Sequence, residues 1–77
     1  MRYTNGSEIR VGDKARMGND ENGVVVCDIG AGIFSPSYPK SEWAYLNEGV
    51  VIAFPRYGVI HMKVAEPDLE LIARSDE

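Results

Sequence analysis

The chain has 77 residues, 44% hydrophobic and 26% charged, with eight Lys and Arg against twelve Asp and Glu, which describes one small globular domain and excludes a disordered one. A domain this small buries only roughly 60% of its unfolded surface, so nearly every apolar residue is needed for the core and no mass remains for an elaborate active-site scaffold. The single cysteine, Cys27, excludes an internal disulfide framework and a Cys/His zinc set, so neither a metal nor a cofactor is expected, and the net charge of −4 opposes phosphate binding more than it opposes a basic protein partner.

The opening segment, from Met1 through Glu8, has no apolar run of the secretory type, and no stretch approaches the ~20 apolar residues of a membrane-spanning helix. A free-standing cytoplasmic protein with no membrane association is the expectation. Asn5-Gly6 lies between strand-forming residues and predicts a tight N-terminal hairpin. After the Val11-Gly12-Asp13 turn, Lys14-Ala15-Arg16-Met17 alternates polar and apolar side chains, placing Ala15 and Met17 on one face of a short strand. Residues 18–23 read as a polar loop. Residues 24–29, Val-Val-Val-Cys-Asp-Ile, read as a central strand with Val25, Cys27 and Ile29 on one face and Val24, Val26 and Asp28 on the other.

The segment 30–47 is rich in Gly, Ser and Pro and reads as an insertion loop carrying one or two helical turns. Pro39 fits the start of a short helix that ends near Leu46, with Trp43 and Leu46 on its inner side and Asn47 and Gly49 closing it. Strands are expected at 50–54 and 57–64, joined by Pro55-Arg56, and a last one at 69–72 after the Pro67-Asp68 break. The tail from Arg74 to Glu77 is expected to fray. About five strands with these turns predict an all-β fold, a small closed SH3-like barrel formed as a single domain over 1–77.

The string from Ile9 through Met17, with its Gly12-Asp13 turn, followed by Gly23-Val24-Val25-Val26, resembles the opening of SH3-like barrels of the KOW type. The whole chain is similar in build to small uncharacterised bacterial proteins of SH3-like type. The KOW resemblance implies ribosomal, transcription-elongation or RNA contacts, for which Arg2, Arg10, Lys14 and Arg16 would serve as the phosphate-binding set. The acidic pair Asp20-Glu21 departs from that pattern.

Among candidate sites, the aromatic group Phe34, Tyr38, Trp43, Tyr45 and Tyr57 combines large apolar area with polar tips, the composition of binding hot spots. Its plainer reading is that Trp43 and Phe34 plug the open end of the barrel. His61, the only histidine, alternates with Val59 and Lys63 and reads as a surface-facing strand residue, since no nucleophile or carboxylate is tied to it by spacing. Cys27 reads as a small buried hydrophobe, and Asp20, Glu21 and Asp28 as solvated loop carboxylates without the ligand spacing of a calcium loop.

These residues predict a non-enzymatic module that binds another protein through the 30–47 loop and the neighbouring strand face, using Tyr38, Trp43, Tyr45, Tyr57 and His61. The alternatives are a KOW-like nucleic-acid binder, and a small immunity or antitoxin-like protein that masks a basic toxin. Monomer and homodimer both remain open, because the N-terminal ribbon can pair its edge with its own barrel or with a second copy.

Overall fold

The computed structural model describes residues 1–74 and is all-β. Six strands form one antiparallel sheet: β1 (Lys14–Met17), β2 (Asp20–Asp28), β3 (Ile33–Phe34), β4 (Val50–Phe54), β5 (Gly58–Met62) and β6 (Leu69–Ala73). The strand order is β5-β4-β2-β1-β6, with β3 also beside β2; the order ends at β5 on one side and β6 on the other, so among the described residues the ladder does not close, which corrects the expectation of a closed barrel. The expected insertion is present. It holds β3, a single helical turn α1 (Lys40–Trp43) entered from Pro39, and a 3₁₀ turn (Ala44–Leu46), and it ends where Asn47 turns to φ 70°. Gly49 then leads into β4 at φ +91°, so close to the end of β5 that a Cβ there would lie 2.2 Å from the Met62 carbonyl oxygen.

Two apolar clusters occupy the two faces of the sheet. The inner one gathers Tyr3, Ile9, Ala15, Val25, Val50, Ile52, Phe54, Met62 and Leu69. The outer one, smaller, holds Val26, Cys27, Ile29 and Val51, and the insertion covers it with Phe34, Tyr38, Trp43 and Leu46. Phe34 and Trp43 therefore shield the back of β2 and β4.

A β-bulge makes this division possible. Val25 pairs with Ile52 and Cys27 with Val51, so β2 advances two residues while β4 advances one. An extra residue in one strand reverses the alternation beyond it. Val25 consequently enters the inner cluster and Cys27 the outer one, which corrects the expectation that Val25, Cys27 and Ile29 share a face.

Residues 18–23 are not a loop. β2 already begins at Asp20, and Met17 pairs with it across a two-residue connection, Gly18-Asn19, in which Gly18 takes φ +60°. Positive φ at the first turn position matches the right-handed twist of the flanking strands, and glycine adopts it without strain. Asp20, expected to be solvated, is 2% exposed. Its Oδ2 accepts the Arg56 backbone N–H at 2.6 Å and its Oδ1 accepts that of Asn22 at 3.2 Å, locking the β1–β2 turn to the β4–β5 turn. A buried carboxylate is tolerated because backbone donors satisfy it.

Asp13 does the same at the other end. It is also 2% exposed, and its Oδ2 accepts the Tyr3 hydroxyl at 2.7 Å and the Arg10 backbone N–H at 2.9 Å. Arg74 completes this clasp, with Nη1 3.5 Å from Asp13 Oδ1 and Nη2 donating to the Glu8 carbonyl at 2.9 Å. Arg74 is thus anchored where fraying is expected from sequence, because a buried carboxylate needs its charge; residues 75–77 of that tail lie outside the described residues. The Tyr3 hydroxyl is pushed well above the ordinary phenol range, first by burial, then by its hydrogen bond to Asp13 and the carboxylate charge, against an opposing pull from Arg74. The expected N-terminal hairpin forms as a ribbon closed by the Arg2–Glu8 bridge, and Tyr3 and Ile9 anchor it on the inner cluster.

Candidate functional site

The outer face of the sheet has two halves. Side chains directly opposite one another in adjacent antiparallel strands point to the same side. Val51, in the outer cluster, is paired with His61, so His61 and its alternate Val59 also face outward. Ala53 pairs with Val59 on one side and Val24 on the other, Val24 pairs with Lys14, and Lys14 with Ala73. One row thus crosses the sheet from β6 to β5: Ala73, Lys14, Val24, Ala53, Val59.

The insertion reaches only the Cys27–Val51 half of this face. In the other half Val24 is 42% exposed and Val59 47%, with Ala53 half-buried at the boundary. At the Lys14 end the row borders an open polar cleft of about 280 Å³, whose walls include Lys14, Asn22, Arg56 and Ile72. An apolar strip with a polar margin is the composition of a small protein interface.

The aromatic residues singled out from sequence do not form one groove. Tyr38 and Trp43 meet with ring centroids 5.3 Å apart at 53°, half-buried over the outer cluster, where they cover Cys27 and Val51. Tyr45 projects from the 3₁₀ turn with 72% of its surface exposed. Tyr57 belongs to the β4–β5 turn; its ring stands edge-on to Phe54 at 5.9 Å and its hydroxyl accepts the Asn19 backbone N–H at 3.4 Å. His61 is half-buried, its Nε2 2.7 Å from the Glu48 carbonyl oxygen. That contact holds the end of the insertion against β5.

Of the basic set, Arg16 is committed to Glu70 at 2.6 Å and Arg2 bonds the Gly6 carbonyl within its own ribbon. Arg10 is exposed, and Lys14 shares its cleft with Glu21. Cys27 is fully buried, its thiol directed at the Tyr38 carbonyl oxygen at 3.5 Å; burial pushes its pKa up, against a smaller lowering by a hydrogen bond with the Ser35 backbone. No three His, Cys, Asp or Glu side chains converge among the described residues, and no helix among them is long and apolar enough to cross a membrane.

Val24 and Val59 are the surface residues that sequence reasoning missed. Only the cross-strand pairing through Ala53 brings them into line, although Val24 stood in sequence on the face opposite Val25.

No protein-family model matches the chain, and no curated protein or solved structure matches it significantly.

Proposed function

We propose that this protein is a non-enzymatic binding module that holds another protein on the open half of its outer face. The observation that carries the reading is the row Val24, Ala53, Val59: three apolar side chains in direct cross-strand register, with Val24 and Val59 left uncovered beside an insertion that covers the same face a few residues away. A scattered exposed valine needs no explanation, whereas an aligned strip on one sheet face offers contiguous area to a partner.

His61, one alternate along β5 from Val59, extends the strip on the insertion side, and Lys14 and Arg56 supply its polar margin. Tyr38 and Trp43 cover the adjoining half of the same face and bound the strip on that side. The SH3-like reading of the sequence fits this use, since a small barrel presents sheet and loop surface and little enclosed volume. Protein binding is favoured over the KOW-like alternative because two of its four cations are already engaged within the chain.

The test is capture of partners from an extract of the source cell with the wild type and with Val24→Lys, each with and without nuclease. A charge at an exposed strand position shifts stability by no more than about 0.5 kcal/mol, so the fold is retained. A protein retained by the wild type and lost by Val24→Lys supports the proposal; retention that nuclease abolishes, or that Val24→Lys leaves unchanged, refutes it.

A further inference from the structure

The sheet has two edges, and they differ. β6 carries the charged Glu70, bound to Arg16, and its register with β1 is broken by an irregularity; the N-terminal ribbon lies across a small cleft from Glu70 and Leu71, and Arg74 ties down the end. β5 has none of these devices. Its five residues pair with β4 in unbroken register and include neither proline nor a carboxylate, lysine or arginine. No backbone hydrogen bond reaches β5 from any segment but β4 among the described residues. In an antiparallel pair alternate residues turn their N–H and C=O groups away from the partner, so an edge strand without such blunting is a template for one more strand.

Charge selects the occupant. Residues 56–63 contain Arg56 and Lys63 and no carboxylate, within a chain of net charge −4, and neither cation is ion-paired among the described residues. A second copy added antiparallel about Ile60 would bring Arg56 of one chain to the end where Lys63 of the other lies, setting like charges together twice. An extended segment with carboxylates near both ends meets opposite charge at each. We propose, on the reading that the partner is a protein, that β5 accepts one extended strand of that partner, acidic at its two ends, with an apolar residue laid beside Val59. Backbone hydrogen bonds give such an addition its geometry, and the flanking charges give it preference.

The probe is the heptapeptide acetyl-Glu-Thr-Val-Thr-Val-Thr-Glu-amide, compared with its counterpart carrying Lys at both ends, each titrated into the ¹⁵N-labelled protein. The expected result is shifted and exchange-protected amides at Gly58–Met62. Two exposed charge pairs predict that the acidic peptide binds roughly three- to tenfold more tightly at low salt, a preference lost near ~0.5 M salt and reversed in the Arg56→Glu, Lys63→Glu double variant. Both substituted side chains are exposed, and unchanged amide shifts elsewhere verify the fold.

Three results would overturn the inference. Absence of any β5 response at millimolar peptide is one. Protection of β5 in the peptide-free protein that rises with protein concentration is another, since it assigns the edge to a second copy. Shifts confined to Val24 and Ala53 are the third, and they would leave the binding face proposed above standing while removing the edge from it.

Discussion

The two halves of the outer face are built from the same strands and comparable residues, yet one is dry and the other open. Beneath the insertion, Cys27 and Val51 are wholly buried; two residues along β4, Ala53 marks the boundary, and beyond it Val24 and Val59 meet solvent. Strand propensity does not distinguish the halves, because valine serves in both. The difference arises from the 30–47 segment, which is long enough to lay one helical turn and four apolar side chains over one half only. In a chain with about 4–12 kcal/mol of total stability, the open half forgoes burial energy that the covered half gains.

The strongest way to break the comparison is to remove the cover. Trp43→Ala should cost about 2–4 kcal/mol in a urea titration, since a half-buried indole falls somewhat below the full large-to-small penalty. The same variant should expose Cys27, which in the wild type is both buried and shifted toward the unreactive thiol, so labelling by a thiol reagent should accelerate from very slow to readily measurable. Equal Cys27 labelling rates in the two proteins would show that the insertion does not keep that half dry.

A matched pair sharpens it. Val51→Ala should cost about 2 kcal/mol and Val24→Ala within about 0.5 kcal/mol, although both delete the same two methyl groups from the same face. Thermal melts of the two variants check this, and similar losses would mean that the open half is supported in a way burial does not reveal.

The smallest effect separates the faces by pH. Tyr3, on the inner face, and Cys27, on the outer, both have folded pKa values raised above their ordinary values near 10 and 9. Above those values the unfolded chain has lost protons that the folded chain retains, so their contribution is complete at neutral pH and is lost as pH rises. Urea midpoints should therefore decline from about pH 9 upward, and Tyr3→Phe should flatten the part of the decline that begins near pH 10. An unchanged slope in Tyr3→Phe would separate the Asp13 clasp from alkaline unfolding.

Much of the architecture was legible in the residues themselves. Asn5-Gly6 announced the ribbon, Pro39 and Asn47 bracketed the helical turns, Pro67-Asp68 preceded the final strand, and Cys27 read as core. What escaped was set by pairing between distant segments. The bulge at Val26 is invisible in a run of three valines, since only the partner strand reveals which residue is extra. Asp20 looked solvated because its donor Arg56 lies 36 positions away, and Asp13 read only as a turn residue because the cation beside it, Arg74, lies 61 positions away. The open row was hidden for the same reason: Val24 and Val59 are related only through Ala53.

The clasp of Asp13 with Arg74 bears on the order in which the fold can be completed. Arg16 waits for Glu70, 54 positions later, and the Glu8 carbonyl for Arg74, 66 positions later, so the first core strand is made long before the strand that shields its outer side. During synthesis the β1–β2 hairpin is complete once Asp28 is made, while β1 keeps an exposed edge until β6, which begins only at Leu69, emerges. Closure over so long a separation is slow relative to hairpin formation, and this interval is when the nascent chain is most vulnerable to pairing with the wrong strand.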